Sequence, residues 1–203
     1  MSKQLVAIGG ARYSGVTSIA KRICEKEPAY HYLDMKVCVA TYYGAALGDQ
    51  QGFEDWFLET IKLLPDGVTV IDWGTYAVSL GRGQFETAIT PRCIEAIVNL
   101  PEIRQVAMVL LDVDALSLQA RRQAAPFTTM RSVSSDLETI CWERMAEIVT
   151  FGEYVDVLCP RQGRSVNFIY RIDNITLEFT AAKLGLWTKI FEGITTRRER
   201  MAA

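Results

Sequence analysis

The chain has 203 residues, is 49% apolar and carries a formal net charge of −2. That is enough material for one well-buried core, and the charge argues against a broad nucleic-acid or anionic-membrane surface. The five cysteines are odd in number and scattered and the single histidine, His31, has no partner at ligand spacing, so neither a disulfide frame nor a histidine metal site is expected.

Taken in chain order, Leu5, Val6, Ala7 and Ile8 form a short apolar run ending in Gly9 and Gly10, and from Thr17 onward Ile19, Ala20, Ile23 and Cys24 recur at helical spacing. This predicts strand, glycine loop, helix. Gly10 to Thr17 keeps the spacing of the phosphate-binding loop G-x-x-x-x-G-K-[ST], with Val16 where the lysine belongs. Two glycines let successive N–H groups turn around a phosphate, and the helix adds its positive dipole end, so most of such a cradle is backbone. The missing lysine removes one charge on the outer phosphates, which Arg12 or another arginine would have to supply.

Pro28 stops the first helix, and Tyr30 to Asp34 reads as a second strand. Val37 to Gly52 shows no clear period and reads as a loop or short helix. Phe53, Trp56, Phe57, Thr60, Ile61 and Leu64 share one face of a helix ended by Pro65. Val68 to Gly74 predicts a buried strand with Asp72 near its C-terminal end, where doubly wound sheets place ligand-handling groups. Thr75 to Thr90 is irregular, with Gly81-Arg82-Gly83 as a flexible basic point. Pro91 opens a helix that runs to Pro101, and Val106 to Val113 has the apolar run of a strand covered on both faces.

Asp114 can cap a helix carrying Arg121 and Arg122, followed by the non-periodic segment Gln123 to Val133 with Arg131. Ser135-Asp136-Leu137-Glu138 is a capping-box sequence opening a helix whose predicted apolar face is Leu137, Cys141, Met145 and Ile148. Tyr154 to Cys159 and Asn167 to Ile172 read as strands, and Leu177, Ala181 and Leu184 as one face of a last helix. The tail ends in Arg197, Arg198 and Arg200, read as a solvated helix end. The alternation of strands and helices predicts a three-layer α/β fold with a parallel sheet, in a single domain spanning 1–203. With no signal peptide and no apolar run long enough to span a bilayer, a cytoplasmic location is expected.

Two arginines ending one helix and a third in the following segment suit a short lid, approximately 121–136, closing over polyphosphate. With the loop, Tyr43-Gly44, Asp72 and a late strand ending near Asp173-Asn174, the chain resembles archaeal adenylate kinases and, more broadly, the nucleoside-monophosphate kinase group of P-loop proteins. The resemblance implies a five-stranded parallel sheet, a short lid and a reduced acceptor-binding insert, with ATP and Mg²⁺ as cofactors. It implies that Gly10, Arg12, Ser14, Gly15, Val16, Thr17 and Ser18 line the donor phosphates. Thr17 and Asp72 would hold the metal, Arg121 would lie near the adenine or ribose, and Arg122 and Arg131 would neutralise the transferred phosphoryl group.

One departure concerns the acceptor: Met35 to Gly81 contains no arginine and only Lys36 and Lys62. The expected function is phosphoryl transfer from ATP to a nucleoside monophosphate. A non-catalytic nucleotide- or partner-binding relative and a kinase of a small non-nucleotide metabolite stand as alternatives. A small-molecule nucleotide is the expected partner, nucleic acid and membrane are not, and a homo-oligomer is left open.

Overall fold

The structure is a computed structural model that describes residues 3–45, 49–73, 78–79, 85–86, 89–125, 135–158 and 168–173. Its elements in chain order are β1 (Lys3–Gly9), α1 (Val16–Lys26), β2 (His31–Asp34), α2 (Met35–Ala45), α3 (Gln50–Leu63), β3 (Gly67–Asp72), β4 (Val78–Ser79), β5 (Phe85–Glu86), α4 (Pro91–Asn99), β6 (Ile103–Asp112), α5 (Ala115–Ala124), α6 (Leu137–Leu158) and β7 (Phe168–Asp173). The main sheet is parallel with order β2-β3-β1-β6-β7. Its first four strands are packed through described side chains, and β7 lies outside β6 through backbone pairing from Ala107↔Phe168 to Asp112↔Asp173. The two-residue strands β4 and β5 pair antiparallel within the stretch expected to be irregular.

Alternation along the buried strands explains the three layers, because successive side chains leave a strand on opposite faces. Leu5 and Ala7 of β1, Ile71 of β3 and Val106 and Met108 of β6 join Phe53, Phe57 and Ile61 of α3, Ile94 and Ile97 of α4, and Tyr154 and Leu158 of α6 in one core. Val6, Ile8, Val68, Val70, Ala107, Val109 and Leu111 pack the other face against Val16, Ile19, Ala20 and Ile23 of α1. The helix ends follow local chemistry. Asp49, Thr90 and Asp114 cap α3, α4 and α5 by accepting from Gly52, Cys93 and Ser117 N–H, and Pro91 sits at the start of α4. Buried Lys3 on β1 donates its ammonium to the Lys62 carbonyl at the last turn of α3, satisfying an orphan acceptor there.

Of the two alternatives for the stretch after β2, the helix is found: α2 occupies Met35–Ala45, held by burial of Met35 and Cys38 although its apolar residues lack helical period. Two other expectations are corrected. Tyr154 to Leu158 is the end of α6, a helix of 22 residues, because Tyr154 and Leu158 stand one turn apart on its buried face and short apolar runs do not distinguish strand from helix. The buried face of α6 is Ile140, Glu147, Thr150, Tyr154 and Leu158, whereas Leu137, Cys141 and Met145 are exposed. The cap of α6 is Asp136, which accepts from the Thr139 N–H at 2.9 Å and from its hydroxyl at 3.1 Å. The expected strand over Asn167 to Ile172 is found as Phe168–Asp173. The expected last helix, the arginine-ended tail, Gly81-Arg82-Gly83 and Arg131 lie outside the described residues.

Candidate functional site

The loop from Gly10 to Gly15 joins the C-terminal end of the central strand β1 to the N-terminus of α1. Two of its glycines are required by the backbone. Gly10 has φ 153°, and a Cβ there would lie 2.6 Å from the Ser14 Oγ and 2.7 Å from the Leu111 carbonyl oxygen on β6. Gly15 caps α1 at φ 98°, in the left-handed region that glycine enters without strain. Tyr13 also takes a left-handed φ, 71°, and the Ser14 N–H closes the turn onto the Ala11 carbonyl at 2.9 Å. A non-glycine residue held there shows that the tertiary contacts around the loop over-determine its path.

Those contacts come from α5 and α6. The Arg121 guanidinium donates to the Tyr13 and Ser14 carbonyls, each at 3.2 Å. The Arg122 side chain is fully buried, donates to the Arg12 carbonyl at 3.3 Å and to Glu143 on α6 at 2.5 Å, and lies 5.9 Å from the Tyr13 ring centroid. Both arginines read in the sequence as lid groups thus bind the carbonyl side of the loop. One helical turn beyond Glu143, Glu147 is buried, and its carboxyl is pushed well up by desolvation and by Glu143, with the Arg12 charge acting against the shift. Arg12 itself is exposed.

The other side of the loop gathers a different set. Thr17, in the first turn of α1, donates its hydroxyl to Asp72 Oδ2 at the end of β3, and the Tyr32 hydroxyl from β2 donates to the same oxygen at 3.4 Å. Parallel register explains the convergence, since Ile8, Asp72 and Asp34 end neighbouring strands in line. Asp72 is buried, and desolvation raises its pKa while the Thr17 hydrogen bond and the nearby Lys36 charge oppose the rise. Tyr32 is driven upward by burial and by Asp72 and Asp34, so its phenol stays protonated. The Lys36 ammonium stands 3.3 Å from the Thr17 Oγ1, and its backbone N–H donates to Asp34 Oδ1 at 2.9 Å. Val16, in the lysine position of the motif, is buried in the core on the α1 face, and Ser18 is exposed.

The structure therefore brings Gly10, Gly15, Thr17 and Asp72 together, with Arg12, Ser14, Arg121 and Arg122 forming or bracing the loop. Sequence reading did not single out Tyr32, Lys36, Glu143 and Glu147 as functional. Tyr32 and Lys36 flank the end of β2, a position where sheet folds present ligand groups, while Glu143 and Glu147 share the i, i+4 spacing of one helix face. A third carboxylate at the sheet's C-terminal edge, Asp112 of β6, is taken by a two-point contact with Arg144, at 2.7 and 3.0 Å.

Mg²⁺ takes hard oxygen donors and keeps several waters, so it needs few protein ligands. A buried carboxylate oxygen and a hydroxyl oxygen in contact at the mouth of the loop fit that demand. No cluster of three or more metal-ligating side chains of the His, Cys, Asp and Glu type occurs among the described residues. No helix among them is long and apolar enough to cross a membrane.

No protein-family model and no curated protein sequence matches the chain. Solved structures do share its fold. The YorR protein of Bacillus subtilis, in complex with phosphorylated GDP, matches with a TM-score of 0.59 at 12% identity over 94% of this chain and 98% of that one. The tunicamycin resistance protein of Deinococcus radiodurans matches with a TM-score of 0.50 at 9% identity over 92% and 95%. These likenesses show the shared α/β fold alone and do not single out the archaeal adenylate kinases.

Proposed function

We propose that this chain is a phosphotransferase that binds ATP with Mg²⁺ at the Gly10–Gly15 loop and passes the terminal phosphoryl group to a small acceptor, a nucleoside monophosphate. The observation that carries this reading is the Thr17–Asp72 contact beside a glycine loop whose geometry excludes a Cβ at Gly10. Amides of the loop and of the first turn of α1 would surround the donor phosphates, and the helix dipole favours their charge. Thr17 and Asp72 would hold Mg²⁺, which supplies charge neutralisation to the phosphates when bound. Since burial raises Asp72 toward its neutral form, its ionisation and a bound cation support each other.

Phosphoryl transfer asks for positioning and charge stabilisation more than for covalent chemistry, and the roles divide accordingly. Arg121 and Arg122 shape the loop by holding its carbonyls outward, which leaves its amides for the ligand. The lid role stays with Arg131. Ser14, Ser18 and Arg12 line or flank the same loop.

A second reading has its own support on the acceptor side. Between α2 and α3 the wall is aromatic: Tyr43 stacks on Phe53 at 5.6 Å and Phe53 on Phe57 at 6.0 Å. Glu54 in this wall is buried and accepts from the Thr90 N–H at 2.6 Å and the Gln50 amide at 3.3 Å. With no arginine from Met35 to Gly81, this surface suits a small non-nucleotide acceptor as well as a nucleoside monophosphate.

A coupled assay with ATP and Mg²⁺ against a panel of nucleoside monophosphates and small polyhydroxylated metabolites tests both. Turnover with a monophosphate is expected, and turnover with an alcohol alone moves the assignment to the second reading. A rise in melting temperature with ATP but no turnover on any acceptor overturns the phosphotransferase reading and leaves a nucleotide-binding protein.

A further inference from the structure

The phosphate loop lacks its lysine, and none of the arginines in the loop or bound to its carbonyls takes that place. Val16 is packed with Ile8, Ile19, Val109 and Leu111 in the core. Arg121 and Arg122 bind loop carbonyls, and Arg122 is also closed into an ion pair with Glu143. Arg12 is exposed, and its charge acts on Glu147 of α6.

A cation does stand at the opposite flank. Lys36 belongs to the first turn of α2, which starts directly after β2, and its ammonium reaches across to 3.3 Å from the Thr17 hydroxyl. Its path is fixed at the base, because the Lys36 N–H donates to Asp34 Oδ1 at 2.9 Å. The side chain is exposed, so its position owes nothing to core packing. Its charge also acts on buried Asp72, the other member of the cluster.

We propose that Lys36 supplies, from a different element, the ammonium that the loop lacks at Val16, and holds the outer phosphates of a polyphosphate ligand beside Thr17. This rests on the polyphosphate-binding reading of the loop given above. An ammonium acts as a point charge and does not require the fixed fork geometry of an arginine, so a lysine arriving from α2 can replace one arriving from α1. The donor charge is thereby carried by the element that also opens the acceptor wall.

The test compares the wild-type protein with Lys36→Met and Lys36→Arg by calorimetric titration with ATP and with inorganic tripolyphosphate, in chelator and again with Mg²⁺. Lys36→Met is expected to weaken both ligands about 10-fold or more, as loss of a charge-assisted contact does, with Lys36→Arg recovering part of the loss. The melting temperature of the unliganded variants should stay at the wild-type value, since an exposed side chain is removed. Lys36→Met binding both ligands within about 2-fold of wild type overturns the inference alone. If the wild-type protein binds neither ATP nor tripolyphosphate, the phosphate-binding reading falls, and the inference with it.

Discussion

The two flanks of the glycine loop are built from opposite materials. On the carbonyl side, α5 and α6 bring half-buried Arg121 and Glu143 and fully buried Arg122 into contacts that hold the backbone of residues 12–14. On the other side, β2, β3 and α2 bring Tyr32, Asp72 and Lys36 to the Thr17 hydroxyl, and there the cation is exposed. A guanidinium fork suits two carbonyls or a carboxylate, and once buried it must stay paired. The flank richest in arginine is therefore the scaffold, and the flank with an exposed ammonium beside Thr17 is the one that can meet a ligand.

The largest effect that would break this contrast comes from removing Glu143. Glu143→Ala leaves the guanidinium of Arg122, which has no exposed surface, without its carboxylate, and should cost about 3–5 kcal/mol. For a chain of 203 residues that is a fall of about 10 °C in melting temperature, measurable by calorimetry. A change under about 1 kcal/mol would show that the carbonyl flank is not a scaffold.

Gly10→Ala comes next. Its Cβ would meet the Leu111 carbonyl at 2.7 Å in a left-handed conformation, so stability should fall by more than about 1 kcal/mol and nucleotide affinity with it. Urea denaturation and an ATP titration on the same protein read both. Preserved affinity in a destabilised variant would separate the loop from the ligand.

The smallest effect has the opposite sign and sharpens the role of α6. Glu147 holds its proton in the folded chain to higher pH than in the unfolded chain, mainly because burial disfavours the carboxylate. In the window above the ordinary carboxylate range the folded state binds more protons, so stability falls as pH rises toward the folded pKa. Glu147→Gln removes that titration. It should raise the melting temperature, more at about pH 8 than at about pH 5, and flatten the decline between them. An unchanged pH profile would mean that Arg12 keeps Glu147 ionised.

Much of the architecture is legible along the chain because it is written in short-range patterns. Apolar runs at Leu5–Ile8, Val68–Ile71 and Val106–Leu111 mark strands buried on both faces, and Pro91, Asp114 and the glycines mark where helices begin. α2 was less legible, since its apolar residues surround the helix without a stripe, and the end of α6 read as a strand because Tyr154 to Leu158 is short and apolar. The loop and Asp72 could be named as site residues from spacing and strand position. The partners of the arginines could not, because Glu143 lies 21 residues from Arg122 and nothing local links them.

The amino-acid order alone determined a layered α/β chain with a phosphate-type loop and a carboxylate at the end of β3, because strand period, glycine placement and capping act over a few residues. Only the tertiary structure decided which charges meet that loop. Parallel register sets Asp34 beside Asp72 and carries Lys36 to Thr17 across 19 residues, and the packing of α5 on α6 turns Arg122 into the interior. Side-chain direction at such distances is fixed by packing and by the need to pair buried charge, and neither leaves a local trace in the sequence.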